Sequence, residues 1–354
     1  MMKTIEQIIK DRFYVKDTQG RLFDNMAYGS LRASFMSYFR TAEDMELYIK
    51  RLHHNDKLTD EKIKSLHNGN YIMDSCDAVL HFQHFIELFL KDILSDISEF
   101  LVYDSSKHID ILYKMSQSIA LSEEEKSKIY VIECSDAIKR IEYLQKEGKL
   151  PAIYKFIDSQ AIALMKRVNE LRNSIAHRGA RILAYEDLDI LFAYYLIPFA
   201  KQVSALPSFR DVLSWGLNIN ASSINPYDDI ETEFRKPNPD TYKVAILKRL
   251  ASSAYRNVLD KGIFTHLIFG DFYRPQIQKA ERIARDAAEY YGGAPALCPV
   301  CGCNTMVLEP DSDDYGKQFV YEARCTKCHF TLDSDMVYYI EKENMALPHY
   351  NKKV

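Results

Sequence analysis

The 354-residue chain reads as mainly α-helical, with a four-helix unit, helical flanking regions and a small C-terminal β ribbon. Three observations lead there. Apolar residues recur over long stretches at the i, i+3, i+4, i+7 spacing of amphipathic helices. Clusters of Asn, Gly, Pro and Ser punctuate those stretches. Near the C-terminus the helical period gives way to two Cys-x-x-Cys pairs, at 298–301 and 325–328, around a stretch of β-like alternation.

Composition excludes several classes. A 47% hydrophobic content is enough for a large core. A formal net charge of −4 argues against a general nucleic-acid coat protein, so any RNA contact must come from a local patch. Seven cysteines, four of them in two close pairs, do not resemble a secreted disulfide framework. The polar opening Met1-Met2-Lys3-Thr4-Ile5-Glu6 is no secretory leader, and the longest apolar run, 190–200, is too short to span a bilayer. The expected location is cytoplasmic, with no membrane partner.

In chain order, residues 1–70 form an N-terminal helical region. Thr59-Asp60-Glu61 starts a short helix there, and Asn68-Gly69-Asn70 stops it. His53 and His54 point apart on a helix and read as a solvated surface pair. Residues 71–206 hold the four-helix unit. Its first helix covers 71–101, with Val79, Phe82, Ile86, Phe89, Ile93, Ile97 and Phe100 as the buried stripe. Ser122 to Glu125 is a capping box opening a second helix that continues towards Gly148. Leu150-Pro151 breaks, and the third helix, with apolar Ala161, Leu164, Met165, Val168, Leu171 and Ile175, runs to His177. The fourth, 185–205, is apolar nearly all round and belongs inside the bundle or in a subunit interface. Cys76 and Cys134 read as core filling.

Residues 207–293 combine a linker over 218–240 with helices over 241–259 and 276–291. Those helices carry Lys243, Lys248, Arg249 and Arg256, then Lys279, Arg282 and Arg285, with Tyr interleaved. Such a stripe is an RNA-holding surface or, more commonly, a helix's wet face. Residues 294–335 form the ribbon, a hairpin of 305–309 against 318–324 between the Cys pairs, and 336–354 a tail. Cys298, Cys301, Cys325 and Cys328 have the spacing of a closed four-thiolate site for structural Zn²⁺. Cys303 and His329 flank the pairs, but the spacing favours the four cysteines. The ribbon is suited to docking a protein or nucleic-acid partner, although its tip, Asp311-Ser312-Asp313-Asp314, is acidic and ill suited to phosphate.

The end of the third helix carries the candidate chemistry. At about 100° per residue, Asn173 and His177 share one helix face, with Arg172 roughly 140° from His177. His takes or gives a proton near neutral pH, Arg offers a planar fork of donors to phosphate oxygens, and Asn can orient an oxygen or the imidazole. RNA supplies its own nucleophile, the 2′-hydroxyl, so the set suits phosphodiester cleavage without a catalytic metal. The plainer reading is that cations gather in a helix's last turn to complement its dipole. Glu87 and Lys91, four apart on the first helix, form either a solvated ion pair or a support that orients Arg172 or His177.

Gln83, Glu87, Leu88 and Lys91 on one helix, followed by Arg172, Asn173 and His177 at the end of a later one, resemble the HEPN family. That resemblance, over 71–206, implies a HEPN-like helical bundle pairing about a two-fold axis. It implies that Arg and His of both subunits meet there as a metal-independent endoribonuclease. Catalytic members act as toxins or in defence against phage. In one toxin branch a Tyr stands two residues after the His; here that residue is Gly179. The expected function is a homodimeric endoribonuclease on an RNA substrate, leaving a 2′,3′-cyclic phosphate. The alternative is a non-catalytic HEPN interaction module whose ribbon docks its partner.

Overall fold

The computed structural model describes residues 26–54, 58–67, 69–104, 109–117, 119–122, 125, 130–178, 182–209, 224–260, 270–343 and 345. At 60, 177, 178, 209, 257–260 and 270–276 it describes the backbone alone. Contacts divide the chain into two units. The first takes residues 1–32, 81–171 and 205–210; the second takes 33–80, 172–204 and 211–354.

The helices are α1 (Met26–Asp44), α2 (Glu46–His53), α3 (Asp60–Leu66), α4 (Gly69–Ile97), α5 (Ile109–Ser116), α6 (Cys134–Lys146) and α7 (Ser159–Arg178). They continue with α8 (Tyr185–Leu191), α9 (Ile197–Ser204), α10 (Pro226–Phe234), α11 (Thr241–Asp260), α12 (Gly270–Tyr290) and α13 (Ser334–Lys342). Between α12 and α13 lies one antiparallel sheet in the order β1 (Met306–Ser312), β2 (Gln318–Cys325), β3 (Thr331–Asp333). Among the described residues, no helix is long and apolar enough to cross a membrane.

Of the stripe expected of α4, the first unit buries Phe82, Ile86, Phe89 and Ile93, and it encloses Phe85 as well, together with Ile138 and Ile141 of α6 and Ile162, Met165 and Val168 of α7. Phe85 and Phe89 stack with ring centroids 5.7 Å apart. The stripe stops one turn earlier than its sequence suggests. α4 ends at Ile97, a 3-10 turn follows over Glu99–Val102, and Phe100 is exposed. Ser122 and Glu125 make both capping-box bonds, Ser122 N to Glu125 Oε2 at 2.9 Å and Glu125 N to Ser122 Oγ at 3.2 Å. They do not open the helix that ends near Gly148. Val131 instead bridges Tyr103 in extended conformation, and α6 starts afresh at Cys134. Gly148, at φ 64°, lets the chain leave α6 through a left-handed cap, with Lys149 N bonded to Leu144 O at 2.8 Å.

The second unit is packed around aromatic rings. Tyr38 and Phe192 lie parallel at 4.0 Å, and Tyr227 meets Phe35 edge-on at 4.9 Å. The run from α8 to α9 carries Pro198, which has no N–H for the usual helical bond. A π-helical segment at Phe192–Leu196 precedes it, and Ile197 N reaches back five residues to Phe192 O. Ile190, Tyr194 and Tyr195 stay exposed, so this run is not enclosed on every side. The expected linker over 218–240 contains a helix, α10, because Asn225 caps it through Tyr227 N at 3.1 Å and Pro226 pre-sets its first turn. His53 and His54 are exposed, as expected, and one face of the His53 ring stacks on Tyr242 at 4.0 Å.

Candidate functional site

The last turns of α7 place Arg172 half-buried and Asn173 exposed. Arg172 Nη1 donates to Asn173 Oδ1 at 3.0 Å, so the amide of the next residue steadies the guanidinium. Among the described residues Arg172 has no carboxylate partner, and most of its donor fork stays available. The helix does extend to His177 and Arg178, as its periodicity predicts. The His177 side chain and Gly179 lie outside the described residues.

Glu87 and Lys91 belong to the first unit, where Lys91 Nζ meets Glu87 Oε1 at 2.5 Å. Gln83, buried on the same helix, donates to Glu87 Oε2 at 3.4 Å and to Asn169 Oδ1 of α7 at 3.3 Å. This polar chain ties α4 to α7 through a residue that the sequence reading passed over. The available signal was spacing, because Asn169 stands four residues before Asn173 on the same helix face.

The cations of α11 are each met by a carboxylate, with Lys248 and Arg249 buried and Lys243 and Arg256 partly exposed. Lys248, with no exposed surface, pairs with Asp189 Oδ1 at 2.7 Å. Its ammonium sits 4.4 Å from the Tyr38 ring centre and 4.1 Å from that of Tyr185. Burial pushes the Lys248 ammonium down and the Asp189 carboxyl up from their ordinary values, while each charge pulls the other back. Arg249 meets Glu46 at 2.9 Å, Arg256 meets Glu43 at 2.6 Å, and Lys243 meets Glu233 at 3.1 Å. Of the seven cations singled out on α11 and α12, Lys279, Arg282 and Arg285 of α12 are the exposed ones. A cleft of about 350 Å³ opens among Asp229, Glu233, Lys236, Asp240, Lys243 and Tyr339. Both of its lysines are committed to Glu233.

The ribbon brings all four predicted cysteines together. Cys298, Cys301, Cys325 and Cys328 are buried, with their sulfurs within 4.8 Å of one another. The register Met306↔Cys325 sets the second pair beside the first. The two Cys-x-x-Cys turns repeat one geometry. Gly302 N bonds Cys298 O at 3.0 Å as His329 N bonds Cys325 O at 3.2 Å, and the residue after each second cysteine is left-handed, Gly302 at φ 66° and His329 at φ 58°.

Sulfur separations of 3.5 Å for Cys298 to Cys328 and 3.7 Å for Cys301 to Cys325 are too long for disulfides. A tetrahedron with metal–sulfur bonds of about 2.3 Å has edges of about 3.8 Å, so these residues could hold a metal ion. Thiolate charge has local support. Cys328 N donates to Cys325 Sγ at 3.3 Å, and Thr305 Oγ1 lies 3.1 Å from the same sulfur. Within the cluster the protons are held unequally: hydrogen bonding to Cys298 keeps Cys301 and Cys325 below the ordinary thiol value, Cys325 at about 7, while Cys298 and Cys328 are pushed above it. Thr305 is a contact that spacing did not reveal. Cys303 turns instead to Cys301 O at 3.5 Å, and neither it nor His329 joins the cluster. No family model, curated protein or solved structure matches this chain.

Proposed function

We propose that the chain is a metal-independent endoribonuclease of the HEPN type, working as a homodimer through a bundle over 71–206, and serving as a toxin or anti-phage effector. The observation carrying this reading is Arg172: among the cations gathered on α7 and α11, it is held by an amide and has no carboxylate partner among the described residues. A guanidinium kept in that state can take phosphate oxygens bidentately. In the proposed reaction one His177 removes the 2′-hydroxyl proton, with Asn173 orienting it. Arg172 stabilises charge building on the phosphate, and the partner's His177 protonates the leaving 5′-oxygen. Attack by the 2′-oxygen breaks the P–O5′ bond and leaves a 2′,3′-cyclic phosphate and a 5′-hydroxyl; DNA, lacking the nucleophile, is inert. Exposed Ile190, Tyr194 and Tyr195 offer apolar surface for an isologous dimer.

The four ribbon cysteines would hold Zn²⁺ as a structural ion that supplies folding free energy to a module with little core of its own. Metal analysis should return one zinc per chain, and Cys325→Ser should lower both zinc content and stability. The test of function is incubation of wild type and His177→Ala with total RNA, followed by end-group analysis. Cyclic phosphate ends from wild type, reduced about a hundred- to ten-thousand-fold in the variant, support the proposal. Equal cleavage by both, or none by wild type, removes it.

A further inference from the structure

The ribbon's hairpin tip is built to present aromatic rings in an acidic field. Asp313 organises the turn: its Oδ1 accepts from Tyr315 N at 3.0 Å and from Lys317 N at 2.8 Å, while Gly316, at φ 75°, closes onto Asp313 O at 2.9 Å. The ring carried by this fixed turn, Tyr315, is 96% exposed. Below it the ladder slips between Glu309 and Pro310, so that Glu309 faces Glu322 and Pro310 faces Val320. The extra residue of that bulge is Tyr321, 55% exposed, next to the partly exposed Phe319. Bulges re-aim side chains, and a fixed turn removes the ordering cost of an anchor residue. Three aromatic rings on one short hairpin are therefore held outward with little freedom to fold back.

The net charge around them is negative. Residues 309–324 contain five carboxylates against Lys317 and Arg324. Arg324 is already paired with Glu309 at 3.1 Å. Asp311 and Asp314 have no cationic partner among the described residues. Phosphate would be repelled, whereas a guanidinium or ammonium can lie on a tyrosine face and meet a carboxylate at its edge.

We propose that this tip is a docking site for an arginine- or lysine-rich segment of a partner protein. It shares no residue with the Arg172 site, so the two proposals fail separately. The full chain, loaded with zinc, is titrated into a fluorescent Arg-Gly-Gly repeat peptide, a Glu-Gly-Gly peptide of equal length and a single-stranded RNA. Binding of the arginine peptide alone, weakening as salt rises, is expected. Tyr315→Ser should weaken it about two- to fivefold, the worth of one exposed cation–π contact. Asp314→Lys, which spares the Asp313 turn, should weaken it further, and Tyr113→Ser, an exposed ring on α5, should leave it unchanged. RNA or the acidic peptide binding as tightly as the arginine peptide, no binding of that peptide, or tip variants that bind it like wild type would overturn the proposal.

Discussion

α7 and α11 are each 20 residues long, and each carries basic residues that a sequence reading would place against RNA. Their fates differ. On α11, Lys248 and Arg249 are buried and, like Arg256, are met by carboxylates from elsewhere in the second unit: Asp189, Glu46 and Glu43. On α7, Arg172 is met by a neutral amide one residue away. A cation on an amphipathic helix is thus not a surface feature by default. Distant carboxylates decide whether it holds helices together or stays open to an anion.

The largest test of that contrast is Lys248→Ala. Removing one member of a buried pair leaves Asp189 uncompensated, and the expected loss is about 3–5 kcal/mol in denaturant unfolding. The double change Lys248→Met with Asp189→Leu should recover much of it, because an apolar pair of similar volume needs no charge. Under the proposed endoribonuclease reading, Arg172→Ala should instead lower RNA cleavage about a hundred- to a thousand-fold while moving stability by less than about 0.5 kcal/mol. Comparable unfolding losses for Lys248→Ala and Arg172→Ala would erase the distinction.

A smaller effect tests the acidic side of the second unit. Arg40 makes a two-point contact with the buried Asp74. Burial first, and the Asp74 charge second, push the neighbouring Asp44 carboxyl from 3.8 up to about 7. A carboxyl raised in the folded state contributes stability that is present below pH 4 and lost as pH rises through about 7. Asp44→Asn should therefore become more stable relative to wild type between pH 5 and 8; thermal melts across that range that stay parallel would contradict the assignment.

The smallest effect concerns the ribbon's repeated turns. Where the first uses Gly302, the second uses His329 in the same left-handed conformation, which costs an L-residue roughly 1–2 kcal/mol. His329→Gly should raise the melting temperature of the metal-loaded protein without altering metal content. A drop in bound metal would show that the imidazole matters to the site.

Much of the local architecture was legible. The stripe from Phe82 to Ile93, the Thr59 cap and the C-terminal end of α7 followed from period and capping chemistry, which act within a few residues. The four ribbon cysteines were legible because metal spacing is a local constraint on a short turn. Local signals also misled. The bonds between Ser122 and Glu125 form and Glu125 is helical, yet the helix that runs to Lys146 starts afresh at Cys134, because the bridge of Val131 to Tyr103 holds the chain extended before it.

By itself, then, the sequence determined the mainly helical class, the helix that ends in Arg172, Asn173 and His177, and the four clustered thiols. Tertiary structure alone decided which charges are enclosed. Lys248 finds Asp189 from 59 residues away, and Arg256 finds Glu43 from 213 away. No window of sequence contains both partners. The energy of an ion pair depends on its distance and on the water removed around it, and both are set only when the helices pack.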